Sequence, residues 1–218
     1  MAVFHHLFST INRGSHTCPM ATAAYRSGSK LILKLQIPKQ ETRDKFQEVI
    51  FDYSAKKGIG FSQVITASNV PDWLKNRESL WQFVEDNYPK EKILACESTF
   101  ALPEELSLEE NTSLVLEYIE QTLLKIYQIV DVNIHNENSN NPHVHLMSPL
   151  IIFSKADVSD SSEVNILKYE DIVKSKMQLI EDNYIEVVNK YLALKGSKSY
   201  ISNKSDKVVD YNQLRPWL

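Results

Sequence analysis

The sequence predicts an α/β (α+β) fold in which a central antiparallel sheet is flanked by helices. Short segments of alternating apolar and polar residues indicate strands, and longer segments with apolar residues at helical spacing lie between them. With 218 residues, 43% of them hydrophobic, the chain can bury one sizeable core. Neither an internal repeat nor a low-complexity linker is visible in the sequence. We therefore expect a single domain over residues 1–218.

The first half of the chain supplies one strand and two helices. Val3–Ile11 is a strand candidate, and Pro19–Ser27 is an alanine-rich helix that begins with proline and that the following glycine can end. Residues 31–63 mix basic and turn-forming residues without clear periodicity, which suggests a loop or a short hairpin. A second helix starts at Pro71, since the apolar residues after it recur at helical spacing.

The second half adds a buried strand, a capped helix and a long helix. Ile93–Ala101 is largely apolar and predicts a buried strand. A Ser-x-x-Glu pattern at Ser107 is typical of a capping box and predicts the start of a helix there. Further on, the apolar run Pro149–Phe153 and a polar stretch precede one long helix, whose apolar residues lie between Ile172 and Tyr191.

The most informative segment lies before that apolar run and reads IHNENSNNPHVHLM. Val130–His135 and His143–Met147 alternate apolar and polar residues and predict two strands, and the loop between them is rich in Asn and Ser. Side chains alternate across a strand, so the apolar residues of both strands can face one core. In that case the imidazoles of His135, His143 and His145 converge on the opposite face.

Three neutral imidazoles on one sheet face can bind a divalent metal ion and leave further coordination positions to water or substrate. His135, His143 and His145 are therefore the predicted metal ligands of a catalytic site. The alternative is a solvated, half-exposed strand whose histidines are incidental, which is the default for a single histidine.

Composition limits the classes of protein that the chain can be. No segment reaches the roughly 20 apolar residues that span a bilayer. The N-terminus MAVFHHLFST lacks the basic start and apolar core of a signal peptide, so we expect a cytoplasmic protein without membrane insertion. Cys18 and Cys96 are too few for a disulfide framework or a zinc knuckle.

The formal net charge of −4 argues weakly against a nucleic-acid partner, because phosphate binding usually needs a basic surface. Charge is uneven, however: basic residues follow the first helix and cluster again near the C-terminus, whereas residues 104–120 are acidic. A basic groove on an acidic body is one interpretation, and lysines that serve only solubility are the other.

Several motifs, taken in order, resemble the MobA/MobL-type relaxases of mobilisable plasmids, which belong to the HUH endonuclease superfamily. The motifs are VFHHLFSTINRG, ATAAYRSG, DYSAKKGI, VPDWLKNRESLW, FALPEELS and NPHVH. The likeness runs through most of the chain, and the order of the motifs makes it specific, whereas no single motif would suffice. It implies a HUH relaxase-like fold and a single relaxase domain over residues 1–218.

The resemblance also implies a mechanism. Tyr25 matches the family's nucleophilic tyrosine, and His135, His143 and His145 match its three metal ligands. The tyrosine attacks one phosphodiester at a plasmid origin of transfer and forms a 5′-phosphotyrosine linkage, which a free 3′-hydroxyl can reverse. The implied partners are single-stranded DNA at the origin and accessory relaxosome and coupling proteins. The alternative for Tyr25 alone is a buried packing tyrosine.

The metal is not fixed by the sequence. Family members are usually discussed with Mg²⁺ or Mn²⁺, whereas imidazole ligands favour Zn²⁺, Ni²⁺ or copper by affinity.

Other residues match family positions with less defined roles. Glu97 could orient a ligand or position a proton, or it is an exposed strand glutamate. Arg26, Lys56 and Lys57 are candidate DNA contacts, with surface charge as the alternative. Glu137 falls where relatives often carry an acid, although turn solvation explains it equally well.

The chain departs from the family near its C-terminus. Relatives commonly carry an Ile-Asp-x-Arg-Ser-like segment after the last helix, whereas residues 201–205 read ISNKS here. This puts a supporting role of that segment in doubt, though not the core site. His5 matches a family position without a role that the sequence defines.

Three alternatives to a relaxase stay open. Replication initiators and transposases of the same superfamily commonly carry the tyrosine after the histidine motif, whereas Tyr25 precedes it here. A non-catalytic origin-binding protein would not need a complete histidine trio together with a tyrosine. A metal-dependent hydrolase that uses bound water is the third, and its activity would survive the substitution Tyr25→Phe.

Overall fold

The computed structural model describes residues 4–12, 18–36, 46–88, 93–136, 141–153 and 164–202, which form a mixed α+β fold. The strands in these ranges are β1 (His6–Asn12), β2 (Lys30–Gln36), β3 (Phe46–Asp52), β4 (Ile59–Thr66), β5 (Ile93–Ala101), β6 (Ile129–His135), β7 (His143–Pro149), β8 (Ile151–Phe153) and β9 (Val164–Ile166). The α-helices are α1 (Pro19–Ser27), α2 (Arg77–Asn87), α3 (Leu108–Gln121), α4 (Tyr169–Ser175) and α5 (Met177–Leu194). Short 3₁₀ helices lie at Asp72–Lys75 and Leu123–Lys125.

The main sheet has five strands in the order β1-β5-β7-β6-β4, and each neighbouring pair is antiparallel. The histidine-bearing hairpin β6–β7 therefore lies inside the sheet, between β5 and the edge strand β4. Strands β2 and β3 form a separate hairpin, and β8 pairs with β9 in a third, small sheet. The central antiparallel sheet with flanking helices agrees with the fold class that the sequence predicts.

One face of the main sheet packs against α3 and α5. Val132 and Val144 of the hairpin belong to this core, as alternation along the strands predicts. Aromatic rings fill its centre: the ring of Phe100 on β5 stacks on Tyr184 of α5, with 4.0 Å between centroids. The Tyr118 hydroxyl on α3 donates a hydrogen bond to the carbonyl of Ile180, which links the two helices.

The opposite face is covered by α1, α2 and the β2–β3 hairpin. Ala23 and Ala24 of α1 are fully buried, and their small side chains allow a close approach to the sheet. Trp81 of α2 is also fully buried in this second core, beside Met147 of β7. Both faces of the sheet are therefore buried, and the histidine-bearing face lies beneath α1 and α2.

Several sequence-based expectations on element bounds are confirmed. Helix α1 spans Pro19–Ser27, and strand β5 spans Ile93–Ala101. Ser107 and Glu110 form the expected capping box at the start of α3. The first strand begins at His6 instead of Val3, which lies outside the described residues.

Three expectations are wrong in part. Residues 31–63 contain the β2–β3 hairpin, as one interpretation had it, but they also contain the first residues of β4, which sequence periodicity did not reveal. The helix after Pro71 is a 3₁₀ turn followed by α2, whose start is capped by the Asn76 side chain accepting a hydrogen bond from the Ser79 amide. The long C-terminal helix is two helices, α4 and α5, separated at Lys176.

Candidate metal and nucleophile site

Strand register brings the three histidines of the hairpin together. His135 pairs with His143 across β6 and β7, and His145 lies two residues further along the same face. The ring centroids are 4.8 to 5.1 Å apart, and one ring nitrogen from each imidazole lies within 4.8 Å of the other two. The expected convergence of the imidazoles is confirmed, whereas the alternative of a half-exposed strand is wrong, because every residue of β6 is buried.

Hydrogen bonds to backbone carbonyls fix two of the imidazole tautomers. Nε2 of His135 donates to the carbonyl of Arg26 at 2.6 Å, and Nδ1 of His143 donates to the carbonyl of Asn141 at 3.0 Å. A carbonyl only accepts, so these nitrogens carry the protons. In a neutral imidazole the other nitrogen then carries the lone pair that can bind a metal.

His145 gives the clearest test of whether a metal ion fits. Its Nδ1 lies 3.0 Å from a carboxylate oxygen of Glu97 and 3.1 Å from the hydroxyl of Thr99. Its Nε2 is buried and has no hydrogen-bond partner in the described part of the protein. A buried polar atom without a partner is costly, and a metal ion would satisfy it. The three imidazoles therefore fit a divalent metal ion.

Burial keeps the three imidazoles neutral. It lowers the pKa of His135 to about 3 and the pKa of His145 to about 4, and it also lowers the pKa of His143. Neutral imidazoles are the form that binds metal, so at neutral pH the cluster needs to lose no proton before it does so.

A buried ion pair joins α1 to the histidine cluster. Nε and Nη2 of Arg26 donate to the two carboxylate oxygens of Glu97 at 2.9 and 3.1 Å, and both side chains are less than 10% exposed. Burial alone would raise the pKa of Glu97, but contacts with His145 and Arg26 outweigh it and hold that pKa well below its usual range. Glu97 is thus an ionised group that accepts from the ring of His145, not an exposed strand glutamate.

Arg26 has two contacts with the cluster, and neither is at the surface. Its carbonyl accepts from His135, and its guanidinium reaches His145 through Glu97. The interpretation of Arg26 as a surface helix charge is therefore wrong, since the residue is 7% exposed. A contact between its side chain and DNA stays a prediction that the described geometry does not support.

Tyr25 precedes Arg26 in the last turn of α1. Its side chain is 37% exposed, so the alternative of a buried packing tyrosine is wrong. The rings of Tyr53 and Tyr25 pack edge to face with 5.3 Å between their centroids, and Nζ of Lys56 lies 3.8 Å from the centroid of the Tyr25 ring. Since the carbonyl of Arg26 contacts His135, the phenol projects from the helical turn that touches the histidine cluster.

The end of α1 is closely fixed. Gly28 has φ +60°, a conformation that favours glycine, and a Cβ there would clash with Cδ1 of Ile59. At the other end the Cys18 side chain accepts from the amide of Ala21. Tyr25 and Arg26 therefore project from a helix whose position on the sheet is well defined.

A second ion pair on the same face, formed by partly buried Arg77 and fully buried Asp131, went unrecognised in the sequence. Asp131 is fully buried and accepts from Nε and Nη2 of Arg77 and from the indole of Trp81. Alternation places Asp131 on the face of His135, but its partners lie on α2, in the motif VPDWLKNRESLW. This network fastens α2 to the sheet beside the histidines.

The remaining candidates are dispersed. Lys57 is exposed, whereas Lys56 is half-buried beside Tyr25. Glu137 lies outside the described residues, and His5 is half-buried before β1. None of the described helices combines the length and the apolar character needed to cross a membrane.

Proteins of known identity resemble this chain over most of its length. It is 27% identical over 231 residues to the conjugal transfer protein TraA of Rhizobium radiobacter, covering 94% of this chain and 20% of TraA. A probable conjugal transfer protein TraA of Sinorhizobium fredii is 30% identical over 161 residues, covering 69% of this chain and 14% of that protein. The chain thus spans no more than about a fifth of these curated relatives.

Solved structures share the fold. The structure described as "Molecular Basis of Vancomycin Resistance Transfer in Staphylococcus aureus" is 28% identical, with a TM-score of 0.74 that covers 94% of this chain and 100% of that one. The conjugative relaxase TrwC in complex with oriT DNA, in its metal-bound structure, is 11% identical, with a TM-score of 0.53 over 97% of this chain and 78% of that one. At that identity the second likeness shows the fold alone.

The comparison that decides the family is the match to a family-wide sequence profile. The profile described as the MobA/MobL family matches residues 18–213, which include Tyr25 and all three clustered histidines. The chain therefore belongs to the MobA/MobL family.

Proposed function

We propose that this chain is the DNA-nicking domain of a conjugative relaxase, which cuts one strand at an origin of transfer by tyrosine transesterification. The observation that carries the proposal is the contact between α1 and the hairpin. The carbonyl of Arg26 accepts a hydrogen bond from His135, and Arg26 is the residue that follows Tyr25. A nucleophile and a metal-binding cluster are thereby held on adjoining elements. Family membership and the conjugal transfer relatives support the same reaction.

His135, His143 and His145 would hold the metal ion. When bound, a divalent cation supplies positive charge that stabilises the negative charge developing on a phosphodiester under attack. We propose Mg²⁺ or Mn²⁺ as the physiological ion, with Zn²⁺ or Ni²⁺ as alternatives that imidazole ligands favour. Glu97 acts as a positioning residue in this scheme, because it fixes the ring of His145 through Nδ1.

Tyr25 would act as the nucleophile. Its phenolic oxygen forms a bond to phosphorus while the bond between phosphorus and the 3′-oxygen breaks. The phenol loses one proton and the departing 3′-oxygen gains one, so the reaction needs no further co-reactant. The product is a 5′-phosphotyrosine linkage, and because the phosphodiester is conserved, a free 3′-hydroxyl can reseal the strand.

Single-stranded DNA is the proposed substrate, with Lys57 as a candidate phosphate contact because it is exposed on the loop that follows β3. Accessory relaxosome and coupling proteins are further proposed partners. Positive charge near the site is local, since the whole chain carries a net charge of −4.

The test is covalent capture of DNA. A pool of single-stranded oligonucleotides with a randomised centre and a 3′-fluorescent label is incubated with the protein and Mn²⁺, then resolved on a denaturing gel. We expect a fluorescent band at the protein's position, because the 5′-phosphotyrosine retains the labelled 3′ fragment. The band should disappear with Tyr25→Phe and with EDTA, and it should persist with Tyr53→Phe, which removes the neighbouring hydroxyl and keeps its ring.

Two outcomes would contradict the proposal. Metal-dependent cutting that survives Tyr25→Phe and leaves no adduct would indicate a hydrolase with a water nucleophile. Selective retention of DNA without cutting under any metal would indicate a non-catalytic origin-binding protein. Sequencing of the captured DNA defines the preferred site, and that oligonucleotide then serves for kinetics.

A further inference from the structure

The loop between β3 and β4, residues 53–58, joins the nucleophile helix to the metal-binding hairpin. At its start the amide of Tyr53 donates to the carbonyl of Ser29, just after α1. At its end the carbonyl of Gly58 accepts from the amide of Asn136, the residue after His135. Within the loop, the amide of Lys56 donates to the carbonyl of Tyr53 and closes a turn. The loop is thus fastened on both sides of the site.

Lys56 extends from this loop onto Tyr25. Its Nζ donates to the carbonyl of Tyr25 at 3.0 Å and lies 3.8 Å from the centroid of the Tyr25 ring. A single ammonium group therefore contacts both the backbone and the ring face of the same residue.

We infer that Lys56 is a positioning residue for the nucleophile. The ammonium group of Lys56 holds the backbone and ring of Tyr25 in a fixed position relative to the histidine cluster. The inference rests on the proposed function and deepens it. It also separates two adjacent lysines that the sequence predicts as equivalent DNA contacts. Lys57 is exposed and suited to a phosphate, whereas the ammonium of Lys56 is directed at Tyr25.

The contact has the geometry of a cation over an aromatic face, well within the 6 Å range of such interactions. Together with the hydrogen bond it restricts the rotation of a ring that is otherwise more than one-third exposed. Loss of both contacts should slow the chemical step about 5- to 30-fold, since small displacements of a nucleophile lower rates steeply.

The experiment compares four lysine variants of the Mn²⁺-loaded protein. Lys56→Met keeps a chain of similar length and removes the charge and the donor, and Lys56→Arg keeps both. Lys57→Met removes the neighbouring candidate phosphate contact, and Lys125→Met is the control at an exposed lysine in a 3₁₀ helix. The captured oligonucleotide is used to measure single-turnover adduct formation at saturating protein, and its affinity is measured separately in EDTA.

We expect Lys56→Met to lower the saturating rate while its DNA affinity matches that of Lys125→Met, and Lys56→Arg to recover most of the rate. Lys57→Met should instead weaken DNA binding and reduce the slope of its salt dependence by about one. If Lys56→Met weakens binding in that same way and keeps the saturating rate, Lys56 is a phosphate contact and the inference is overturned. A Lys56→Met protein equal to wild type in both measurements also overturns it.

The mobility of the Tyr25 ring can be measured without any cleavage of DNA, which tests the role of Lys56 separately from the proposed function. Fluorotyrosine incorporated into the protein gives a ¹⁹F resonance for Tyr25, assigned by its loss in Tyr25→Phe. We expect Lys56→Met to shift and narrow this resonance, because the ring gains rotational freedom, and Lys125→Met to leave it unchanged. An unmoved resonance in Lys56→Met overturns the inference alone, whereas absence of any adduct with wild-type protein overturns the proposed function as well.

Discussion

Substitution of Glu97 by glutamine separates the two effects of the buried carboxylate. Glu97 neutralises Arg26 through two hydrogen bonds and also accepts from the ring of His145. Glutamine has the same shape but no charge, so the Arg26 guanidinium is left buried and uncompensated. Both partners are less than 10% exposed, so solvent cannot replace the lost charge. Breaking a buried pair of this kind typically costs about 3–5 kcal/mol.

The same substitution should weaken metal binding. Loss of a carboxylate that orients a metal-bound histidine typically lowers metal affinity about 10- to 100-fold. The assays are guanidinium denaturation followed by circular dichroism in EDTA, and Mn²⁺ titration calorimetry under native conditions. A loss of unfolding free energy below about 1 kcal/mol, together with unchanged Mn²⁺ affinity, would refute the account of Glu97.

A double variant distinguishes stability from metal positioning. In Arg26→Met, Glu97→Gln the buried charge is removed with its partner, and replacement of a whole buried pair is often close to neutral. We expect most of the unfolding free energy to return while Mn²⁺ affinity stays low, because His145 still lacks its carboxylate. Recovery of both would mean that Glu97 affects the metal site only through global stability.

Three further predictions concern the supports of the site. The pKa of Glu97 is lowered in the folded protein, so the ionised carboxylate stabilises the fold above its unfolded pKa near 4.5. The difference in unfolding free energy between wild type and Glu97→Gln should therefore disappear as pH falls from about 4.5 toward 2, as measured by denaturation at each pH. Arg77→Leu leaves the charge of fully buried Asp131 uncompensated and should lower the free energy of unfolding, measured by guanidinium denaturation, by about 3–5 kcal/mol. The control Lys75→Leu, at an exposed ion pair, should leave that free energy nearly unchanged. Gly28→Ala places a Cβ against an isoleucine side chain at positive φ and should lower the melting temperature measurably, so an unchanged melting temperature would contradict the assigned helix end.

The parts of the site that sequence could predict are those governed by local periodicity. Alternation in the hairpin suffices to place His135, His143 and His145 on one face, and proline, alanine and glycine suffice to bound α1 around Tyr25. Both depend on residues close together in the chain. Register between neighbouring strands then converts the pattern into a cluster.

The parts that sequence could not predict depend on contacts between distant segments. Arg26 and Glu97 are 71 positions apart, and no local pattern indicates that one neutralises the other. Only the packing of α1 over the sheet shows that Glu97 is buried and lies between Arg26 and His145. Strand β4 was missed because it is an edge strand with several exposed residues and a glycine, so its pattern is weak.

The orientation of Lys56 is another feature that the sequence could not predict. Its sequence context, two consecutive lysines after a turn, suggests solvated charge or DNA binding for both. Lys56 is directed at Tyr25 because backbone hydrogen bonds hold the loop against the ends of α1 and β6. Adjacent residues in a loop can therefore differ in role where composition treats them alike.

The central claim is that Tyr25 forms a covalent bond to DNA, and peptide mapping of the captured adduct tests it most directly. The protein–oligonucleotide complex formed with Mn²⁺ is digested with nuclease and protease, and the peptide that carries the residual nucleotide is sequenced by tandem mass spectrometry. We expect a single modified residue, Tyr25, with the mass of a 5′-linked nucleotide phosphate. A modification at Tyr53 or any other residue, or a peptide map without modification despite cleavage, would contradict it.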